Sequence, residues 1–228
     1  MSYPSTFADL KSSVIAKGRL DATADTSRVA DWINQALANA CIDSEALITF
    51  AGMTTTAGVS SYTLLATAVR IKGMYVTSGG VQYKPLEPIS LEQMLELRQS
   101  GGGTQTVGGV LRYYALVGLS QFELYPTPDG SETITLYYVR QPSPLSNDTD
   151  VPEIPEPFAT KLLEYGALVD AYEFKRDDQQ QNAQQAYQVW LQRFRAHLTR
   201  KRGGVPEQML VLRSPAVSPH DPSTDIGW

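Results

Sequence analysis

Two different hydrophobic rhythms divide this chain. From Thr6 to Gly18 the apolar residues Phe7, Leu10, Val14 and Ile15 recur at helical spacing, with Ser5 or Thr6 available as cap and Gly18 as stop. A second helix is predicted from Ser27 to Ala40, capped by Asp25 or Thr26, with Val29, Ile33, Leu37 and Cys41 on one stripe and Trp32 beside it. The rhythm then becomes extended. Strands are predicted at Ala46 to Met53, Gly58 to Leu65, Val69 to Val76 and Val81 to Leu86, with Ser78, Gly79 and Gly80 closing a hairpin between the last two. Ser90 caps a short helix from Leu91 to Gln99. The run Gly101, Gly102 and Gly103 then reads as a mobile or closely approached loop. It is no phosphate loop, since it follows a helix and lacks the trailing Gly-Lys-Ser/Thr.

Leu111 to Arg140 is the densest signal. Leu111 to Val117, Gln121 to Tyr125 and Thr133 to Val139 are rich in aromatic and β-branched residues, and Gly118 to Ser120 and Pro126 to Gly130 separate them. They predict a three-stranded meander that buries one face and displays the other. A proline-rich spacer, Gln141 to Pro157, follows as a semi-rigid surface crossing, and Pro157 suits a first helical turn. Phe158, Leu162, Tyr165, Val169 and Tyr172 then mark one helix to about Arg176, broken at Asp177 and Asp178. Ala183, Tyr187, Trp190, Phe194 and Leu198 mark another, from Gln179 to Arg202.

The predicted class is α+β: a helical bundle of two N-terminal helices and a long C-terminal αα-hairpin, an antiparallel β-rich middle and an extended C-terminal arm. The expected boundaries are 1–44 for the N-terminal helices, 45–140 for the β-rich region with one short helix, 141–157 for the linker, 158–202 for the hairpin and 203–228 for the arm.

Composition narrows the function. The 228 residues are 42% hydrophobic and only 19% charged, so the surface suits packing against neighbours. A net charge of −5 argues against a protein whose main task is gripping nucleic acid. Cys41 is the single cysteine, which excludes an intrachain disulfide and fits a reducing compartment; on its apolar stripe it reads as a buried small hydrophobe. No secretion signal or membrane-spanning run is expected.

Candidate chemistry is sparse. His197 and His220 have no metal-ligand companions at useful spacing, and no nucleophile elbow or dinucleotide fingerprint occurs. No cofactor or metal is expected. Glu164, Asp170 and Glu173 fall on the polar side of a predicted helix and read as a solvated or intersubunit face. Arg193, Arg195, Arg200, Lys201 and Arg202 crowd the end of the last helix. Three explanations stand: interaction with the helix dipole, salt bridges to an acidic neighbour such as Asp148, Asp150, Glu153 and Glu156 of another copy, or contact with DNA phosphates. In the tail, Val205, Met209, Leu210, Val211, Leu212, Arg213 and Trp228 read either as an arm that orders on a neighbour or as a segment laid back on its own domain.

With these pieces placed, the chain resembles the head-to-tail adaptor proteins of tailed bacteriophages. The resemblance rests on order and spacing. It runs through the helices Leu10 to Ile15 and Val29 to Cys41, the Leu-x-Pro-x-Ser entry opening Leu86 to Leu95, and Gly101 to Gly103 leading to Arg112 to Gly118. Phe122 to Gly130, Leu136 to Arg140, Leu145 with Ser146, and Leu162 to Asp170 complete it. Val151 to Pro157 departs from the shorter entry expected before the hairpin, and the tail beyond Ser214 is longer than the resemblance explains. The resemblance implies a dodecameric ring beneath the portal protein, in the virion and assembled in the host cytoplasm. It implies an arm docked on the portal, β-region loops (Gly79, Gly80 and Gly101 to Gly103) facing a tail, nozzle or tail-terminator protein, and a channel for genomic DNA. Two other readings remain: a DNA-contacting protein using Arg193 to Arg202, and an enzyme or small-ligand module with a pocket between the β region and the hairpin.

Overall fold

The computed structural model describes residues 5–78, 81–100 and 110–202. Helix α1 (Phe7–Gly18) begins at a reciprocal capping box: the Asp9 amide donates to the Thr6 hydroxyl and the Thr6 amide to the Asp9 carboxylate. It stops one residue later than expected. Arg19 takes the left-handed conformation (φ 49°), while Gly18 is buried where a Cβ would meet Leu20 at 3.2 Å. Helix α2 (Thr26–Ser44) runs beyond the predicted Ala40 because Ala40, Cys41 and Ser44 continue its buried stripe. Helices α4 (Phe158–Lys175) and α5 (Gln180–Lys201) form the expected hairpin, and α4 packs on both α1 and α2. At the α2–α4 crossing, a Cβ on Gly166 would lie 2.6 Å from that of Ala36. Only a glycine permits this approach. One core unites these helices, centred on Leu10, Val14, Ile33, Leu37, Leu162 and Phe194.

The β-rich region forms two four-stranded sheets. The first has the order β1 (Ile48–Thr54), β8 (Thr133–Arg140), β3 (Ala68–Ser78), β4 (Val81–Pro85). The second has the order β2 (Ser61–Thr63), β7 (Gln121–Tyr125), β6 (Tyr113–Val117), β5 (Glu87–Pro88). Met74, Val76, Ile134, Leu136 and Tyr138 from the first meet Tyr114, Phe122 and Leu124 from the second in a second core. Between β5 and β6 along the chain, α3 (Leu91–Ser100) is capped by Ser90 and Gln93 and packs on β6, with Arg98 paired to Glu123 at 2.6 Å.

Here the predicted meander is corrected. β6 and β7 pair as a hairpin, but β8 leaves them and enters the other sheet between β1 and β3. The alternation of Ile134, Leu136 and Tyr138 said which face is buried, not which sheet takes the strand. The linker also differs from a surface crossing. Leu145 and Ile154 are buried in the helical core, and the Asn34 side-chain amide donates to the Leu145 carbonyl while its oxygen accepts from the Leu145 amide (3.0 and 2.7 Å). Pro157 stands just before α4 rather than in its first turn.

Candidate functional site

The basic end of α5 lies against the C-terminus of α2. That terminus presents carbonyls without helical partners, which attract cations. The Arg195 guanidinium donates to the Asp43 carbonyl at 3.0 Å, and that of Arg202 donates to the carbonyl of Glu45, the left-handed cap of α2. Arg193 instead stacks over the Trp190 ring, 4.9 Å from its centroid. The side chains of Arg200 and Lys201 are exposed and make no hydrogen bond or ion pair among the described residues. The cluster therefore divides: two arginines serve a neighbouring helix's dipole, one rests on an aromatic, and two point to solvent.

The acidic linker residues already have partners within the chain. Asp148 pairs with Lys11 at 2.5 Å, and Asp150 accepts from the Ser146 and Asn147 amides, which hold its carboxyl below the usual range. Glu153 pairs with Arg140, and Glu156 accepts from the Ser5 amide and the Thr160 hydroxyl. Asp148, Glu153 and Glu156 tie the linker to the rest of the chain, and Asp150 closes a turn within it.

Glu164 is likewise misplaced on a predicted solvated face. It is 1% exposed and accepts from Ser13 and Lys17 of α1, with Lys161 3.7 Å away. Burial alone would raise its pKa, but the Lys17 and Ser13 hydrogen bonds outweigh it and hold the carboxyl below its ordinary range. The position on α4 faces α1, a packing that helical period cannot reveal. Asp170 is half-buried with its carboxyl raised by that burial, and Glu173 accepts from Gln180.

Two clefts among the described residues lack convergent reactive groups. One of about 550 Å³ lies where α2 meets the linker, lined by Asn34, Thr67, Arg140 and Pro144 rather than by the hairpin; Asn34 and Arg140 are already committed to Leu145 and Glu153. A smaller one of about 190 Å³ lies among α2, α4 and α5, where burial pushes the Tyr187 phenol up to about 12. Cys41 is buried, and desolvation pushes its thiol up to about 12, which disfavours the nucleophilic thiolate. His197 lies against the Phe158 ring, centroids 5.1 Å apart. Among the described residues no group of three His, Cys, Asp or Glu could hold a metal, and no helix is long and apolar enough to cross a membrane.

One feature escaped the sequence reading. On the outer face of the first sheet, Phe50, Tyr137 and Tyr75 form an aromatic row across β1, β8 and β3, with centroids 5.9 and 5.5 Å apart. Tyr75 leans over Gly73, and Phe50 is 67% exposed. The available signal was that β1 is apolar on both faces, Ile48 and Phe50 as well as Ala51 and Met53. The candidate arm (Val205, Met209 to Arg213, Trp228), His220 and the candidate tail-side glycines (Gly79, Gly80, Gly101, Gly102, Gly103) lie outside the described residues.

No curated protein matches this sequence. A family model described as SU10 adaptor protein matches residues 5–217, nearly the whole chain and both of its cores. The match takes in the helices and both sheets described above, and the chain belongs to the SU10 adaptor protein family of phage head-to-tail adaptors.

Proposed function

We propose that this chain is a structural adaptor of a tailed-phage virion: copies close into a ring on the portal, receive the tail or its nozzle, and leave a central channel for DNA. The family match across residues 5–217 carries this reading. Physical features support it. A closed ring needs two different complementary surfaces on each copy. The exposed aromatic row of the first sheet and the weakly charged, glutamine-rich start of α5 offer such a pair. Internal pairing of the linker acids and Glu164 leaves their charges to stabilise the copy itself. Twelve copies is the expected stoichiometry, and no catalytic or cofactor role is proposed. In this reading 5–44 and 158–202 act as the bundle that meets the ring, the β region faces the tail, and Val205 to Arg213 with Trp228 dock on the portal.

The test is addition of purified chain to portal-bearing capsids that lack a tail. Incorporation in a fixed ring number, lost on deletion of 205–228, is the expected result. Failure of the intact chain to join such capsids would refute the adaptor reading; normal incorporation of the truncated chain would refute the arm. A second reading, contact with DNA through Arg200 and Lys201, draws on their exposure without partners. It requires DNA binding by the isolated chain that weakens steeply with salt.

A further inference from the structure

The four sheet edges among the described residues are not alike. β2 spans three residues, β5 only two and ends in a proline, and β4 ends at Pro85 with its register against β3 broken between Tyr75 and Thr77. These are common ways of blunting an edge against stray pairing. β1 has none of them. It is seven residues long, Ile-Thr-Phe-Ala-Gly-Met-Thr, with no charge and no proline, and it pairs with β8 in unbroken register from Ile48 to Thr54. Its other side has no strand among the described residues.

The core beside β1 is also unfinished. In register, Thr49, Ala51 and Met53 sit next to Tyr138, Leu136 and Ile134 of β8. The β8 residues are buried, whereas their three neighbours on β1 are only partly so. Apolar side chains left half-open along an uncharged edge are the requirements for β-strand addition: backbone groups supply affinity and alternate side chains finish the core.

The chain itself supplies a segment of matching composition. Glu207 to Ser214 is bracketed by Pro206 and Pro215 and contains Met209, Leu210, Val211 and Leu212, the one uninterrupted apolar run after α5. Its starting point is close. Arg202 bonds to the Glu45 carbonyl, and Glu45 precedes the first residue of β1 by three positions. Met209 follows Arg202 by seven residues, a reach of roughly 23 Å at ~3.3 Å per residue, while β1 is about 20 Å long. So short a tether holds the segment near the edge at an effective concentration on the order of millimolar.

We propose that in the free chain Met209 to Leu212 add to the open edge of β1 as a fifth strand of the first sheet. This goes beyond the adaptor role and does not depend on it. If the same segment later docks on a portal, it must first leave β1, which makes the tail unavailable until a competing site is offered.

Hydrogen exchange on the full-length chain tests the proposal. Wild type is compared with a chain carrying Leu210→Pro and Val211→Pro, which removes backbone donors from both sides of the added strand. Amides of residues 48–54 should be protected on both edges in wild type, and those not bonded to β8 should exchange at least about tenfold faster in the variant. Unchanged protection in α4 verifies that the variant is folded. Rapid exchange along the outer edge of β1 in wild type, or protection unaffected by the two prolines, overturns the proposal. Protection that rises with protein concentration also overturns it, assigning the edge to a second copy instead. Capsid incorporation is a separate readout, so failure here and failure of the adaptor reading are distinguishable.

Discussion

The division of the basic cluster yields a sharp comparison between two double variants. In the first, Arg195→Gln and Arg202→Gln remove both guanidinium donors from the carbonyls of Asp43 and Glu45 at the end of α2. A hydrogen bond from a charged donor contributes about 1.5–3 kcal/mol when shielded. Both arginines are exposed, and solvent screening reduces each to about 0.5–1 kcal/mol. The helix-dipole attraction falls within the same range, so the pair together should lower stability by about 1–2 kcal/mol. For a chain of this size that is a fall of roughly 2–8 °C in Tm. In the second variant, Arg200→Gln and Lys201→Gln remove the same formal charge from side chains without partners among the described residues. Stability should change by less than about 0.5 kcal/mol, whereas any effect on DNA or partner binding should appear here. Urea unfolding at low and high salt measures both, and hydrogen exchange at residues 41–46 locates the loss. Equal destabilisation by the two variants, or none from the first, would refute the assignment of Arg195 and Arg202 to the α2 terminus.

Two further predictions concern packing and pH. Gly166→Ala should destabilise by about 1–3 kcal/mol despite alanine's better helix propensity, because its Cβ collides with that of Ala36; adding Ala36→Gly should restore part of the loss, and a double-mutant cycle in urea without such coupling would refute the close crossing. Glu164→Gln should cost about 1–3 kcal/mol at pH 7 by removing the ionised partner of Lys17. Because the folded-state pKa of Glu164 is depressed, that advantage is full above the ordinary glutamate value of about 4.3 and fades as pH falls through the lower folded value. A difference between wild type and variant that stays constant down to pH 2–3 would contradict the ion pair.

Much of the local structure was legible along the chain. Apolar periods located four of the helices among the described residues and the Ser90 cap a fifth; Thr6 and Ser90 were legible as caps, and the structure adds Asp9 and Gln93 as their reciprocal partners. These features depend on residues within one turn of each other, so sequence alone determined them. It also determined that the middle of the chain is extended and that Cys41 is buried. The family resemblance drawn from element order was upheld by the match over 5–217.

Tertiary structure alone decided what each buried face meets. β8 follows β7 along the chain, yet it pairs with β1, 79 to 91 residues earlier, because its inward Ile134, Leu136 and Tyr138 complete the core from the opposite sheet. Glu164 is buried because α1 crosses α4 there and offers Ser13 and Lys17. Arg195 and Arg202 reach the end of α2 through the same kind of long-range apposition. That β1 has no outer neighbour among the described residues emerged only from the sheet order. Periodicity records how often a side chain turns inward; which partner waits there is settled by contacts between residues distant in sequence, whose loop-closure entropy and packing no local pattern encodes.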